Sequence, residues 1–366
     1  MIPRRVLMTV DAVGGVWRYA VDLARGLNDA GIACLLVGSG PRPAAAAFEG
    51  LGLPDTEWVW TGAPLDWMTE DEAALDCVPA VLEALARDHR CDLLHLNLPS
   101  QAAGIAQPLP VLVVSHSCVP TWWEAVRGTP LPADWSWQAD RNRRGLQRAD
   151  AVLAPSASHA AALVRAYGIL PGPGVVHNAT AALSSDTSKE PFVLAAGRWW
   201  DEGKNAATLD AAAASLPWPV RMAGPLSGPN GQAVPIHHAD AIGELGSSDL
   251  LDRMRRAAIF AAPSRYEPFG LAVLEAATQH AALVLSDIPS FREMWDGAAL
   301  FVPPTDAAGF AEAIAALAED AALRRRLGLR AARIASRFTP ARQLEGVLAA
   351  YAGVMARRDQ TISGAA

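Results

Sequence analysis

Cysteine is scarce: the 366 residues hold four, Cys34, Cys77, Cys91 and Cys118. No two make a CxxC pair, which argues against a zinc site, a redox motif or a disulfide framework; they read as reduced and mostly buried thiols. Long apolar runs are missing too. The first, VLMTV, stops at Asp11, too short for a signal-peptide core, and no run approaches the roughly 20 residues of a membrane-spanning helix. There is no basic block, and the formal net charge is −7. That balance excludes nucleic acid as the main partner and offers no general attraction to an anionic membrane. Charged residues amount to 19% against 51% apolar ones, as in ordinary globular cores. The expectation is a soluble, cytoplasmic protein, with peripheral contact at the inner face of a membrane left open.

What is present is a repeated alternation. The length is about twice that of a typical domain, so two domains are expected. Leucine-rich or β-branched runs recur, each followed by a helical pattern: RVLMTV, IACLLVG, CDLLHLN, PVLVVSH and AVLAPS, then FVLAAG, VRMAG, AAIFAAP, AALVLSD and AALFVPP. Continuous apolar strands between helices predict parallel sheets covered on both faces. The series restarts after residue 190, predicting an α/β chain of two doubly wound domains side by side, with ligands in the cleft between them at the carboxyl ends of the strands. PGPGVVHNATAALSSDTSKEP (171–191) is the linker candidate. The domains are placed at 1–180 and 181–340. The tail, 341–366, follows an N-cap at Thr339 and Pro340 in the first turn, and repeats Leu344, Val347, Leu348, Tyr351, Val354 and Met355 at helical spacing. That face should pack back on the first domain.

Three short stretches carry chemistry. In TVDAVGGVWRYAVDLARGL, Gly14 and Gly15 lie between a strand ending near Val10 and a helix starting near Val16. A glycine turn feeding a helix N-terminus suits an anion, although such a turn alone is more often only a turn. In GRWWDEGKN, Arg198 follows strand FVLAAG and Lys204 comes six residues later. A planar fork and a point charge together suit a diphosphate; a solvated loop is the plainer alternative. In PSRYEPFGLAVLEA, Glu267 precedes a helix beginning at Gly270 or Leu271, and Glu275 lies inside it. Eight residues advance a helix by roughly 80° beyond two turns, so the two acids need not share a face. Glu275 sits among core-type residues, where a carboxylate wants hydrogen-bond donors such as sugar hydroxyls.

SRYEPFGLAVLEA resembles the E-x7-E motif of retaining glycosyltransferases of the GT4 type. The GG turn, VVSHS, the Arg198/Lys204 pair and IGEL fall in that family's order, over residues 6 to about 355. The resemblance implies the GT-B fold: α/β, two Rossmann-like, doubly wound domains facing each other across a cleft. It also implies that Arg198 and Lys204 bind the donor diphosphate and stabilise the leaving group, and that Glu275 takes the ribose hydroxyls. Glu267 would contact the transferred sugar, and Phe269, Gly270 and Leu271 would give backbone contacts. The base would lie near Gly243, Glu244 and Leu245. Gly14 and Gly15 would approach the phosphate, and His116 the transferred sugar or the reacting centre. Ala179 and the pair Trp199–Trp200 depart from the family pattern.

The expected activity is a retaining, metal-independent hexosyltransferase that needs no cofactor. It would move glucose from a UDP-sugar to a glycan or lipid-linked glycan in polysaccharide biosynthesis. No DxD-type acid pair stands in a suitable place, and SSDLLD reads as a helix start. A GT-B UDP-sugar 2-epimerase and a non-catalytic glycan-binding relative are the alternatives. For the acceptor, HSCVPTWWEAVRGTPLPADWSWQADRNRRGLQRAD holds four of the 12 tryptophans. Trp122, Trp123 and Arg127, with Trp135, Trp137, Arg141, Arg143 and Arg144, could stack on sugars and hold phosphate; core packing and a charged helix face are the equal alternative.

Overall fold

The computed structural model describes residues 2–168, 172–181 and 188–364. Part of the expected linker, residue 171 and residues 182–187, lies outside the described residues. The chain divides into two compact units, Met1–Asn178 with Pro340–Ala366, and Ala179–Thr339.

The first unit is built on β1 (Arg5–Asp11), β2 (Ala33–Ser39), β3 (Thr56–Trp60), β4 (Leu93–Leu96), β5 (Val111–Val114), β6 (Ala151–Ala154) and β7 (Gly174–Val175). All pair in parallel, in the order β3-β2-β1-β4-β5-β6-β7. The central strands are buried on both faces, which is why their sequences run apolar without alternation. β3 and β7 were not anticipated. They are edge strands, one half-buried and one of two exposed residues, and neither carries a continuous apolar run.

Helices α1 (Gly15–Asp29), α2 (Val78–Asp88), α3 (Val119–Arg127), α4 (Ser136–Arg148) and α5 (Ala157–Tyr167) cover this sheet. A long helix, Pro340–Gly364, belongs to the same unit and packs on α1 and β5. Its Val347, Tyr351 and Val354 are buried with Leu23 and Leu27 of α1. The cysteines are free; Cys34, Cys91 and Cys118 are buried and Cys77 is exposed.

One buried polar joint fastens this helix. The Tyr351 hydroxyl lies 2.7 Å from His95 Nδ1, and the Tyr19 hydroxyl 3.3 Å from His95 Nε2. Burial pulls His95 down to about 3, so its ring is neutral, one nitrogen donating and the other accepting. Tyr351→Phe keeps the packing shape but strands a buried ring nitrogen. A stability loss of roughly 1–3 kcal/mol is expected, read as a lower thermal midpoint; an unshifted melting curve would mean that the joint contributes nothing.

The second unit contains β8 (Glu190–Ala196), β9 (Val220–Ala223), β10 (Asp240–Gly243), β11 (Ala257–Ala262), β12 (Ala282–Ser286) and β13 (Ala299–Val302). They too are parallel, in the order β10-β9-β8-β11-β12-β13. Its helices are α6 (Ala206–Ala213), α7 (Ser247–Arg256), α8 (Leu271–Thr278), α9 (Pro289–Trp295), α10 (Ala307–Glu319) and α11 (Ala321–Ala335); the tail helix is therefore α12. β10 was unforeseen, being short and mostly exposed. Both units are Rossmann-like. Strand order reverses between β1 and β4 in the first and between β8 and β11 in the second, the places where such sheets open to ligands.

Candidate donor site

In the second unit the loops after β8 and β11 are stitched together. Asn205 sits at φ 59°, a left-handed conformation that Asn tolerates better than most residues. Its amide donates to the carbonyls of Pro263, at 2.8 Å, and Pro304, at 2.7 Å. Arg265 N–H donates to the Gly203 carbonyl at 2.8 Å. These ties hold a short 3-10 turn, Glu202–Lys204, against the turn that carries Glu267. Lys204 Nζ consequently donates to the Glu267 carboxylate, with both side chains under one-fifth exposed. Ser290 Oγ donates to the Glu267 carbonyl and steadies the turn.

Gly270 follows at φ 91° as the N-cap of α8, with Phe269 buried beside it against Phe338. A Cβ on Gly270 would come within 3.0 Å of Phe291 and 3.3 Å of Glu267 Cγ. The first amides of α8, from Leu271 on, have no intrahelical carbonyl to bond and form a positive end beside the acid. Glu275 is half-buried in the middle of α8, between buried Leu274 and Ala276.

The other cation is held separately. The Arg198 guanidinium lies 5.5 Å from the centre of the Trp200 ring and 3.5 Å from the Asp201 carboxylate. Trp199 turns into the core, its indole N–H donating to the Ala223 carbonyl at 2.9 Å. The departure at Trp199–Trp200 thus supplies one core residue and one stacking platform for Arg198. The strand ends beneath are tied by backbone: Gly197 N–H to Ala223 O at 3.1 Å, and Gly224 N–H to Gly243 O at 2.7 Å. They bring Gly243, exposed Glu244 and half-buried Leu245 onto the rim from which Arg198 departs.

In the first unit, Gly14 caps α1 with extended backbone and Gly15 is its first residue, one position earlier than expected. Asp11 accepts from Val13 N–H at 3.0 Å. His116 follows β5. Its Nε2 is 3.0 Å from Asn97 Oδ1, and its ring packs edge-on to Tyr19 at 4.3 Å. The Asn97 amide donates to the Thr9 carbonyl, so its oxygen is the acceptor and His116 Nε2 carries the hydrogen. Burial, then His95 and His159, pull His116 down to about 3; it is a neutral hydrogen-bonding group and supplies no positive charge.

Trp122, Trp123 and Arg127 lie on α3. The guanidinium stands over both indoles, at 6.0 and 5.6 Å, and Trp123 meets Trp135 at 6.1 Å. The remaining basic residues of that segment do not form a phosphate wall. Arg141 is buried and pairs with Asp76 at 3.0 Å and Glu72 at 3.5 Å, Arg143 pairs with Asp140 and Arg144 with Glu72, while Trp137 packs on the core. Acids from a 3-10 turn and its C-cap, far away in sequence, consume charge that looked available.

Asn205, Gly224, Ser290 and Asn97 were not singled out from the sequence. An asparagine just before a helix and the glycine that closes the run VRMAG were the visible signals for the first two. Among the described residues, no three His, Cys, Asp or Glu side chains gather as a metal-ligand set.

Two family models match in succession: Glycosyltransferase Family 4 over residues 13–180, and Glycosyl transferases group 1 over residues 187–333. The chain belongs to the GT4-type glycosyltransferases. The fold of this glycosyltransferase is GT-B. A sucrose-phosphate synthase from Thermosynechococcus elongatus matches with a TM-score of 0.73 at 18% identity, over 99% of this chain and 100% of that one. The Anabaena protein Alr3699/HepE, solved in complex with UDP and glucose, matches with a TM-score of 0.73 at 16% identity, over 95% of this chain and 99% of that one. A glycogen synthase from Mycobacterium tuberculosis is 38% identical over 100 residues, 26% of this glycosyltransferase; the chain spans 24% of that curated relative's length. No described helix is long and apolar enough to cross a membrane.

Proposed function

We propose that this glycosyltransferase moves a hexose, in the simplest case glucose, from a UDP-sugar to a saccharide or lipid-linked saccharide with retention at the anomeric carbon, serving polysaccharide assembly in the cytoplasm. The observation that carries the reading is the gathering of Lys204, Glu267 and the N-terminus of α8 at the strand-order reversal of the second unit. Arg198 and Trp200 stand on the same strand end, β8. Support comes also from the structural likeness to a protein solved with UDP and glucose.

In this reading the diphosphate takes Arg198, Lys204 and the amides of α8, while Glu275 receives the ribose hydroxyls. Glu267 receives hydroxyls of the sugar, and the base rests near Gly243, Glu244 and Leu245. Phe269, Gly270 and Leu271 shape the backbone around the phosphate. As the bond between C1 and the diphosphate oxygen breaks, positive charge grows on the ring and negative charge on the leaving group. The fixed cations and the helix end oppose the latter, with no cofactor and no metal required. The acceptor oxygen bonds to C1 on the face the diphosphate leaves, and its proton passes to the departing phosphate oxygen. In the first unit we assign Gly14 and Gly15 to the phosphate and acceptor side, neutral His116 to a hydroxyl of the sugar, and the Trp122–Trp123–Arg127 stack to the acceptor.

The test is a panel of UDP-, GDP- and ADP-sugars, scored by hydrolysis and by protection against heat. One UDP-hexose should stand out in both. Glu275→Ala should weaken calorimetric UDP binding by roughly 1–3 kcal/mol, the cost of losing hydrogen bonds to a charged group. Preference for another nucleotide would overturn the donor assignment, and unchanged affinity in the variant would move the ribose elsewhere.

A further inference from the structure

The structure joins the two residues assigned to opposite ends of the scissile bond. Lys204, read as the diphosphate cation, is paired with Glu267, read as a sugar acceptor group. Asn205 and the Gly203 carbonyl hold one partner in place, and Ser290 and Gly270 the other. The pair is mostly shielded from water, so its charge is less screened than a surface pair's.

From this geometry we infer that Glu267 discriminates the intact donor from the nucleoside diphosphate product, by competing with the diphosphate for Lys204 unless a sugar is present to occupy it. The inference rests on the reading of Lys204 given above. A sugar brings hydroxyl donors, and a carboxylate is an acceptor only; donor and Glu267 are therefore complementary, and Lys204 can turn to the phosphates. The product diphosphate brings only anionic acceptors to that spot. It faces the Glu267 carboxylate, meets like-charge repulsion, and finds its cation already neutralised. The site thus grips the donor while it carries a sugar and loosens once the sugar has gone. Ser290 donates to the main-chain carbonyl of Glu267 and so positions this acid.

The experiment measures equilibrium binding of inorganic pyrophosphate, and of whichever nucleoside diphosphate the protein prefers, to wild type, Glu267→Gln, Lys204→Ala and the double variant. Pyrophosphate makes the result independent of the base. Glu267→Gln removes the competing charge and adds an N–H donor, so both probes should bind about tenfold more tightly, as loss of a partly buried charge competitor implies. The same variant should bind the intact nucleotide sugar less tightly, and product inhibition should deepen. The gain should vanish in the double variant. Equal or weaker probe binding by Glu267→Gln, or a gain that persists without Lys204, would overturn the inference. If no nucleoside diphosphate binds wild type at all, the donor-site reading itself falls; if they bind but Glu267→Gln leaves them unchanged, only the discrimination by Glu267 is lost.

Discussion

Lys204→Ala is expected to lower kcat/KM about a hundred- to a thousandfold, the range seen when one fixed group stabilising a transition-state charge is removed. Two effects compound. The leaving diphosphate loses a point charge held by a tied-down turn, and Glu267 is left as an uncompensated carboxylate where the donor's anionic end must settle. The only other lysine, Lys189, donates to the Arg255 carbonyl at 2.8 Å and the Gln279 carbonyl at 2.6 Å, capping the ends of α7 and α8. The turn is held by Asn205 and by backbone bonds, so the thermal midpoint should change little. Lys204→Arg keeps the charge but exchanges a compact ammonium for a planar fork, and should restore only part of the rate. Steady-state kinetics beside a melting curve separate the outcomes; turnover near the wild-type rate would remove Lys204 from the reaction.

Gly224→Ala is expected to damage both stability and activity, although residue 224 lies outside the set of proposed ligand contacts. It stands at φ 122°, a conformation that side chains rarely adopt, and a Cβ there would come 1.9 Å from the Gly197 carbonyl oxygen. The obstacle is backbone, so relief requires the ends of β8 and β9 to part. Strain and overpacking together should cost about 3 kcal/mol or more, measured by chemical denaturation. Gly197 directly precedes Arg198, so even folded protein should lose activity, since a misplacement of about 1 Å can cost a hundredfold in rate. Gly246→Ala is the control. It has negative φ and nothing near its Cβ, and should cost no more than about 1 kcal/mol as an N-cap change. Equal behaviour of the two variants would show that the close approach at Gly224 is unimportant.

The parallel sheets were legible because buried strands such as β1, β5, β11 and β12 advertise themselves as unbroken apolar runs. β3, β7 and β10 were not, because an edge strand is defined by its neighbour and its own residues stay partly wet. Arg198, Lys204, Glu267 and Glu275 could be named because charge at a strand end or within an apolar helix is conspicuous. Their partners could not be: Lys204 and Glu267 are 63 residues apart, and Asp76, which pairs with Arg141, is 65 away. Ion pairing depends on distance in space, and a charge in the sequence looks free until the fold supplies its counterpart.

Residue order alone determined two Rossmann-like halves, the strand ends at which charged residues stand, and the helical face of the tail, since all three follow from local periodicity and from the residues that end each run. Only the tertiary structure decided that α12 docks on α1 and meets His95 of β4 through Tyr351, that the α4 arginines are consumed by acids of their own unit, and that Lys204 rests on Glu267. Each of these depends on where separate loops come to rest, and that is set by the packing of the sheets beneath them.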